Sequence, residues 1–250
     1  MTKQPLPNSR EAIAAAWERL CDEYAADLTR PNKRGGLAAI ELAAIRKELA
    51  GRVGLRILDA GCGPGRHGVR LALDKHTVVM TDVSARMLEA ARAAAAEAGV
   101  SEKVTVVKDD IRESALKSGS FDAIISCGTV VSDCGDPAAA ISELARLLKD
   151  GGLALFSVRN LREWSNGSEP ARKLVPQGHQ AFDWVFFSPQ GLKASCRDAG
   201  MVLERIYPVG VVDPPEEEEG IESYVQFHID LLGDSPALST AHELFATARK

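Results

Sequence analysis

Between Leu55 and Val158 the chain repeats one unit, a short apolar run followed by a segment of helical periodicity. Runs at Leu55–Asp59, Thr77–Asp82, Val104–Lys108, Phe121–Ser126 and Leu153–Val158 read as strands. Arg66–Leu73, Ser84–Ala98 and Pro137–Lys149 read as the helices between them. Several runs are continuously apolar rather than alternating, the pattern of parallel strands covered on both faces. Strands joined by helices of this length predict βαβ units and an α/β, doubly wound sheet with helices on both faces. Right-handed crossovers then bring every loop that follows a strand to one edge, where ligands bind.

Two helices precede this region. Ser9–Leu28 has Ser9 in a capping position and Ile13, Trp17, Leu20 and Tyr24 at helical spacing; a basic, glycine-containing break from Arg30 to Gly36 separates it from Leu37–Leu49. After the fifth strand the alternation fails. Arg159–Phe187 reads as an irregular insertion carrying five of the chain's thirteen aromatics: Trp164, Phe182, Trp184, Phe186 and Phe187. Alternation resumes with a helix at Ser188–Ala199, a strand at Val202–Val211, an acidic stretch whose Glu216–Glu219 reads as a solvated loop or helix start, and a last strand at Glu243–Arg249. The expectation is one domain over 1–250 with a mostly parallel, seven-stranded sheet. Residues 1–50 form a helical cap, 51–158 the binding core, 159–187 a lid, and 188–250 the rest of the sheet.

A chain of 250 residues can bury the core of one large α/β domain. Its net charge of −5 offers no general attraction to polyphosphate, so a nucleic-acid partner would need a local basic patch. Five cysteines, odd in number and without a CxxC pair, indicate neither a disulfide framework nor a metal site. Met1–Arg10 lacks the apolar run of a signal peptide, and no stretch approaches the roughly 18 apolar residues of a membrane helix. A soluble, cytoplasmic protein without a membrane partner is expected.

The most informative stretch is Ile57-Leu58-Asp59-Ala60-Gly61-Cys62-Gly63-Pro64-Gly65-Arg66-His67. A strand runs into three alternating glycines and opens a helix, which lets a ligand lie against the main chain near free N–H groups. Gly63 to Gly68 also spells GxGxxG, the dinucleotide fingerprint, so a nicotinamide oxidoreductase is the competing reading. Asp59 argues against it. A carboxylate ahead of the glycine bend repels a pyrophosphate and suits an ammonium or sulfonium. Acids recur at the ends of the next two strands: Asp82, 21 residues after Gly61, and Asp110, preceded by Asp109. The first spacing is the one at which an acid meets ribose hydroxyls.

Asp59–Gly65, Asp82 and Asp110-Ile111 resemble successive motifs of the class I S-adenosylmethionine-dependent methyltransferases. Phe121–Ser126 and Leu147–Gly152 add two more, and Phe187–Leu192 is a further echo. The resemblance implies S-adenosyl-L-methionine as cofactor and roles at matching positions. Gly61, Cys62, Gly63 and Gly65 would pass under the methionine moiety, with Asp59 orienting it through its amino group or a water. Asp82 would accept from both ribose hydroxyls, Val83 and Met87 would pack on the adenine, and Asp110 with the Ile111 N–H would meet the adenine edge. The backbone around Cys127-Gly128 would contact the methionine amino group. An N-terminal Tyr or Arg would reach the methionine carboxylate, with Tyr24, Arg30 and Arg34 as candidates and Arg34 the first choice.

Methyl transfer from a sulfonium is an in-line displacement, so the protein mainly positions the acceptor about 3–3.5 Å from the methyl carbon and excludes water. A base is required only where the acceptor keeps its proton. After the fourth strand stands Thr129-Val130-Val131-Ser132-Asp133-Cys134, which offers Asp133 as the candidate catalytic base; His179 and His228 are more remote candidates. Cys62, Cys127 and His67 read as structural side chains. Arg159, Arg162, Arg172 and Lys173 in the insertion could meet an acidic acceptor. The expected reaction is methylation of O or N on a small molecule. The alternative is a tRNA carboxymethoxyuridine-type methyltransferase, a resemblance carried by Ala241–Lys250 and the N-terminal helices.

Overall fold

The computed structural model describes residues 9–29, 33–161, 171–177, 180–212, 221–231 and 236–250. Its sheet grows from the apolar runs. β1 (Arg56–Ala60) lies between β2 (Thr77–Asp82) and β4 (Phe121–Ser126), β3 (Val104–Lys108) flanks β2, and β5 (Leu148–Asn160) flanks β4, all parallel. β9 (Glu243–Arg249) runs antiparallel along the other side of β5, and β8 (Val202–Val209) runs antiparallel beyond it. These are the seven expected strands. The order reverses between β1 and β4, which sets the loops after those two strands side by side.

The continuous apolar runs divide their side chains between two layers. Val78 and Met80 of β2 pack with α2 (Lys33–Glu48), α3 (Arg66–Leu73) and α4 (Ala85–Glu97), through Ile40, Ile45, Val69, Ala72, Leu88 and Ala91. Val79 faces the opposite layer with Ile141 and Leu144 of α6 (Pro137–Leu147) and Leu192 and Cys196 of α7 (Pro189–Asp198). Full burial of each such Val, Leu or Ile stabilises by roughly 1.5–3 kcal/mol. α1 (Arg10–Thr29) is capped by Ser9, whose Oγ accepts from the Ala12 N–H at 3.1 Å. It crosses the start of α4, where the Glu18 carboxylate accepts from the Ala85 and Arg86 N–H groups and Asp22 pairs with Arg86. An acid over a helix N-terminus is favourable.

Two regions differ from expectation. The insertion after β5 is in part a hairpin rather than irregular: β6 (Ala171–Gln177) pairs antiparallel with β7 (Gln180–Phe187). Pro176 obscures the first strand in the sequence, yet β6 is the end strand of the sheet, where a missing N–H is tolerated. Trp164, Arg162 and His179 lie outside the described residues, as do the side chains of Arg172, Lys173 and Phe182. The second difference is a helix, α8 (Ile221–Leu231), after the acidic stretch; Glu216–Glu219 themselves lie outside the described residues.

The long β5 positions the hairpin. β4 accompanies β5 up to Phe156, and β7 then pairs with Arg159 and Asn160, while Glu243 of β9 stays opposite Arg159 on the other side. The hairpin therefore extends the sheet beyond the end of β4, at the edge where the strand-end loops gather.

Candidate active site

The glycine loop follows β1 directly. Gly61 has φ +74°, and a Cβ built there would lie 2.6 Å from Cγ1 of Val130, so loop and wall are in contact. A Cβ on Gly68 would meet the Met80 sulfur at 2.5 Å, which lets α3 pack close to β2. The N–H groups of Gly61 and Cys62 both donate to the Thr81 carbonyl at 2.8 Å, tying the loop to β2.

The strand-end acids hold this loop from behind. Asp59 is buried, and its Oδ2 accepts from the Gly68 N–H at 2.9 Å. Burial pushes its carboxyl up to about 7, with that hydrogen bond opposing. The carboxylate thus occupies one of the free N–H groups at the start of α3 that a phosphate would otherwise use. Asp82 spans the loop and the next turn: Oδ2 accepts from the Gly63 N–H and Oδ1 from the Ser84 N–H, both at 2.9 Å. Ser84 in turn caps α4 by accepting from the Met87 N–H. Burial raises the Asp82 carboxyl, against these backbone donors.

A cleft of about 420 Å³, open to solvent, lies along these elements; Ile13, Gly61, Asp82, Val83, Ile111 and Val130 are among its walls. Asp109, Asp110, Arg112 and Cys134 also border it. Three carboxylates against one guanidinium suit a ligand rich in hydroxyl and amino donors, and cationic rather than anionic. Met87 is fully buried in the first turn of α4. Asp110 is heavily engaged: Arg112 donates to Oδ1 from its backbone N–H (2.9 Å) and Nε (3.0 Å) and to Oδ2 from Nη2 (2.8 Å), and Arg10 of α1 reaches Oδ2 at 3.1 Å. These cations hold its carboxyl below the usual range despite burial.

On the other side of the loop stand groups that sequence reasoning missed. Glu41 of α2 is 1% exposed, and its Oε1 accepts from the Gly128 N–H at 2.9 Å. His67 Nε2 is 3.7 Å from Glu41 Oε2 and 3.1 Å from the Ala38 carbonyl; burial lowers its pKa, against Glu41. Arg66 donates through Nη2 to the Gly35 carbonyl at 2.9 Å. The signal for Glu41 was present: one acid inside Leu37-Ala38-Ala39-Ile40-Glu41-Leu42-Ala43-Ala44-Ile45 is a charge on an apolar helix. Tyr24, a sequence candidate, does reach the loop; a Cβ on Gly128 would be 3.1 Å from its hydroxyl, and one on Gly63 3.6 Å from its ring. Arg34 falls in the first turn of α2 with its side chain outside the described residues, and Arg30 lies outside them altogether. The Cys62 and Cys127 thiols are buried, which raises both well above their ordinary range. They contribute backbone and volume here, not nucleophiles.

Asp133 ends α5 (Val130–Asp133), the short helix after β4. Arg159 grips it with Nε on Oδ1 and Nη2 on Oδ2, both at 2.7 Å, and the Thr129 hydroxyl donates to Oδ2 at 3.1 Å. Burial raises the carboxyl while Arg159 opposes. The Arg159 guanidinium also stacks 3.5 Å from the centroid of Trp184, joining α5 to β7. His228 belongs to the structure of α8: its Nε2 accepts from the Val211 N–H at 2.9 Å and Nδ1 faces the Tyr224 carbonyl at 2.8 Å. Among the described residues no helix is long and apolar enough to cross a membrane.

Residues 57–152 match the family described as "Methyltransferase domain". The ubiquinone biosynthesis O-methyltransferase of Klebsiella pneumoniae subsp. pneumoniae is 31% identical over 173 residues, 67% of this chain and 68% of that protein. Two solved structures superpose with a TM-score of 0.63. The cyclase SpnF does so at 21% identity over 85% of this chain and 81% of its own. The 1,6-didemethyltoxoflavin-N1-methyltransferase of Burkholderia thailandensis, solved with S-adenosylhomocysteine, does so at 19% over 100% of this chain and 93% of its own. The structural matches show a fold that hosts more than one chemistry. The sequence relative narrows it and removes the nicotinamide reading of Gly63–Gly68. This chain belongs to the class I S-adenosylmethionine-dependent methyltransferases, enzymes whose methyl donor is S-adenosylmethionine.

Proposed function

We propose that the chain methylates a hydroxyl oxygen on a small aromatic acceptor. One observation carries this reading: 31% identity, over two-thirds of both proteins, with a ubiquinone biosynthesis O-methyltransferase. The apolar cleft residues Ile13 and Val130 agree with a flat, apolar acceptor beside the donor. The net charge of −5 gives tRNA no general attraction.

When bound, S-adenosylmethionine supplies an electrophilic methyl group on a sulfonium. The chain's part is to hold and orient. Asp82, held by the Gly63 and Ser84 N–H groups, keeps acceptor capacity for the ribose hydroxyls. Val83 and Met87 flank the adenine ring, and the Ile111 N–H meets its edge. Asp110 accepts from the adenine amino group once Arg10 gives way, because Arg112 and Arg10 together fill its four acceptor directions. The Gly61–Gly65 main chain, with Cys62, and the backbone at Cys127 carry the methionyl portion. Asp59 braces the loop and supplies negative potential beneath it. An acceptor hydroxyl keeps its proton at neutral pH and needs a base. Asp133 fills that role, its carboxyl raised by burial against Arg159, on the condition that its Arg159 pair opens.

The test is methyl transfer from labelled S-adenosylmethionine to separate panels of catechols and phenols, amines, and unmodified tRNA, with Asp82→Ala as the blank. Label in an aromatic hydroxyl, lost in the blank, supports the reading. Label confined to amines or tRNA refutes it.

A further inference from the structure

Three side chains from distant parts of the chain converge between α2, α3 and the end of β4. Glu41 belongs to α2, His67 to the first turn of α3, and Cys127 directly follows β4. Glu41 and Cys127 are buried, and the His67 side chain is 12% exposed. A carboxylate oxygen of Glu41, a ring nitrogen of His67 and the Cys127 sulfur lie within 4.8 Å of one another, the only such grouping of three among the described residues. None of the three borders the donor cleft, whose walls pass through Gly61 and Val130. Glu41 is lightly matched for a buried acid. Its Oε1 accepts from the Gly128 N–H, while Oε2 stands 3.7 Å from His67 Nε2, beyond hydrogen-bond range. Arg66 spends Nη2 on the Gly35 carbonyl and forms no ion pair with Glu41 among the described residues. Burial, and after it the carboxylates of Glu41, Asp59 and Glu243, push the Cys127 thiol up. A buried place with this much negative field and so little to balance it suits a cation.

We propose that Glu41, His67 and Cys127 bind a zinc ion that clips the cap helix α2 to the core. One carboxylate oxygen, one imidazole nitrogen and one thiolate sulfur form a zinc donor set. Zinc bonds of about 2.0–2.3 Å place neighbouring ligands roughly 3.3–3.6 Å apart in a tetrahedron. Glu41 and His67, at 3.7 Å, already meet that spacing closely, and the Cys127 sulfur has roughly 1 Å to close. His67 Nε2 also faces the Ala38 carbonyl at 3.1 Å, an oxygen within reach of the fourth position. On binding, Cys127 gives its thiol proton to solvent and His67 keeps its proton on Nδ1. Two anionic ligands then neutralise the dication, and Glu41 is no longer an isolated charge. Protein ligands on every side make this a structural clip rather than a catalytic metal. Positions 41, 67 and 127 have no motif spacing, so the cysteine pattern of the sequence carried no sign of it. The site stands apart from the acceptor and the base assigned above.

The full chain, stripped with a chelator and then reconstituted, tests this with Zn²⁺ and Co²⁺ alone as probes. Calorimetry should show one zinc per chain, and a hundredfold excess over Kd should raise Tm by about 5–10 °C. Co²⁺ should give a sulfur-to-cobalt charge-transfer band. Cys127→Ser should abolish that band, whereas Cys62→Ser, which alters the buried thiol of the glycine loop, should keep it. Glu41→Gln and His67→Gln should each weaken zinc by roughly 100-fold or more, beyond the cost of losing an outer-shell partner. They carry the same comparison if Cys127→Ser fails to fold. A wild type that binds no zinc, a cobalt band that survives Cys127→Ser, or a zinc affinity untouched by Glu41→Gln and His67→Gln overturns the site.

Discussion

Gly61 is the point at which the loop and the acceptor-side wall press hardest. Its φ of +74° lies in the left-handed region, and an added Cβ would come 2.6 and 2.7 Å from the two methyl groups of Val130. Carbon atoms prefer separations of about 3.5–4.0 Å, so the overlap is about 1 Å. Gly61→Ala therefore meets two penalties. The left-handed backbone costs about 1–2 kcal/mol, and overpacking about 1–3 kcal/mol. The sum, about 2–5 kcal/mol, is a large share of the stability of a typical domain. The two are separable because Val130→Ala removes both methyl overlaps, leaving only the Val130 Cβ at 3.2 Å, and leaves φ alone. In a double-mutant cycle read by urea unfolding, Gly61→Ala with Val130→Ala should show a favourable coupling of about 1–3 kcal/mol. The residual loss should be about 1–2 kcal/mol, the backbone's share. A Gly61→Ala variant within about 0.5 kcal/mol of wild type, or strict additivity with Val130→Ala, would refute the contact.

Asp59 gives a pH-dependent outcome. Its folded carboxyl lies at about 7 against an ordinary 3.8, so the folded state binds a proton that the unfolded state has released between those values. Stability is therefore lost as pH rises from about 4 to 7, by an amount on the order of a few kcal/mol. Asp59→Asn should flatten that slope and gain in melting temperature over wild type at pH 8, more than at pH 5; parallel curves would count against the buried proton. Arg10 is half exposed, so Arg10→Ala should alter stability by less than about 1 kcal/mol. By freeing Asp110 it should also tighten S-adenosylhomocysteine binding a few-fold in calorimetry, and a weaker complex would show that Arg10 helps rather than competes. Asp133→Asn should lower kcat by roughly 100-fold or more with KM little changed if it is the base. A change confined to KM would make it only the anchor of Arg159.

Much of this molecule is written locally. The βαβ alternation, the glycine bend and the three strand-end acids appeared as periodicity and spacing, because each depends on neighbours a few residues away. Ser9 and Ser84 likewise announce their helices by position. The hairpin β6–β7 escaped because β6 holds Pro176, which only an edge position tolerates, and the largely apolar β7 shows no clean alternation. Glu41 showed as an isolated acid in an apolar helix, but nothing in the chain said what it would meet.

By itself, then, the sequence determined seven of the strands, the glycine loop and the acids beneath it, since side-chain pattern and glycine content dictate which faces bury and where the backbone can turn. Tertiary structure decided how the charges pair. Asp110 finds Arg10 across 100 residues, Asp133 finds Arg159 and through it Trp184, and Glu41 of α2 meets the Gly128 N–H after β4. Such contacts depend on where whole elements lie once the two apolar faces of the sheet are covered, and periodicity reports the face of an element without reporting its neighbour.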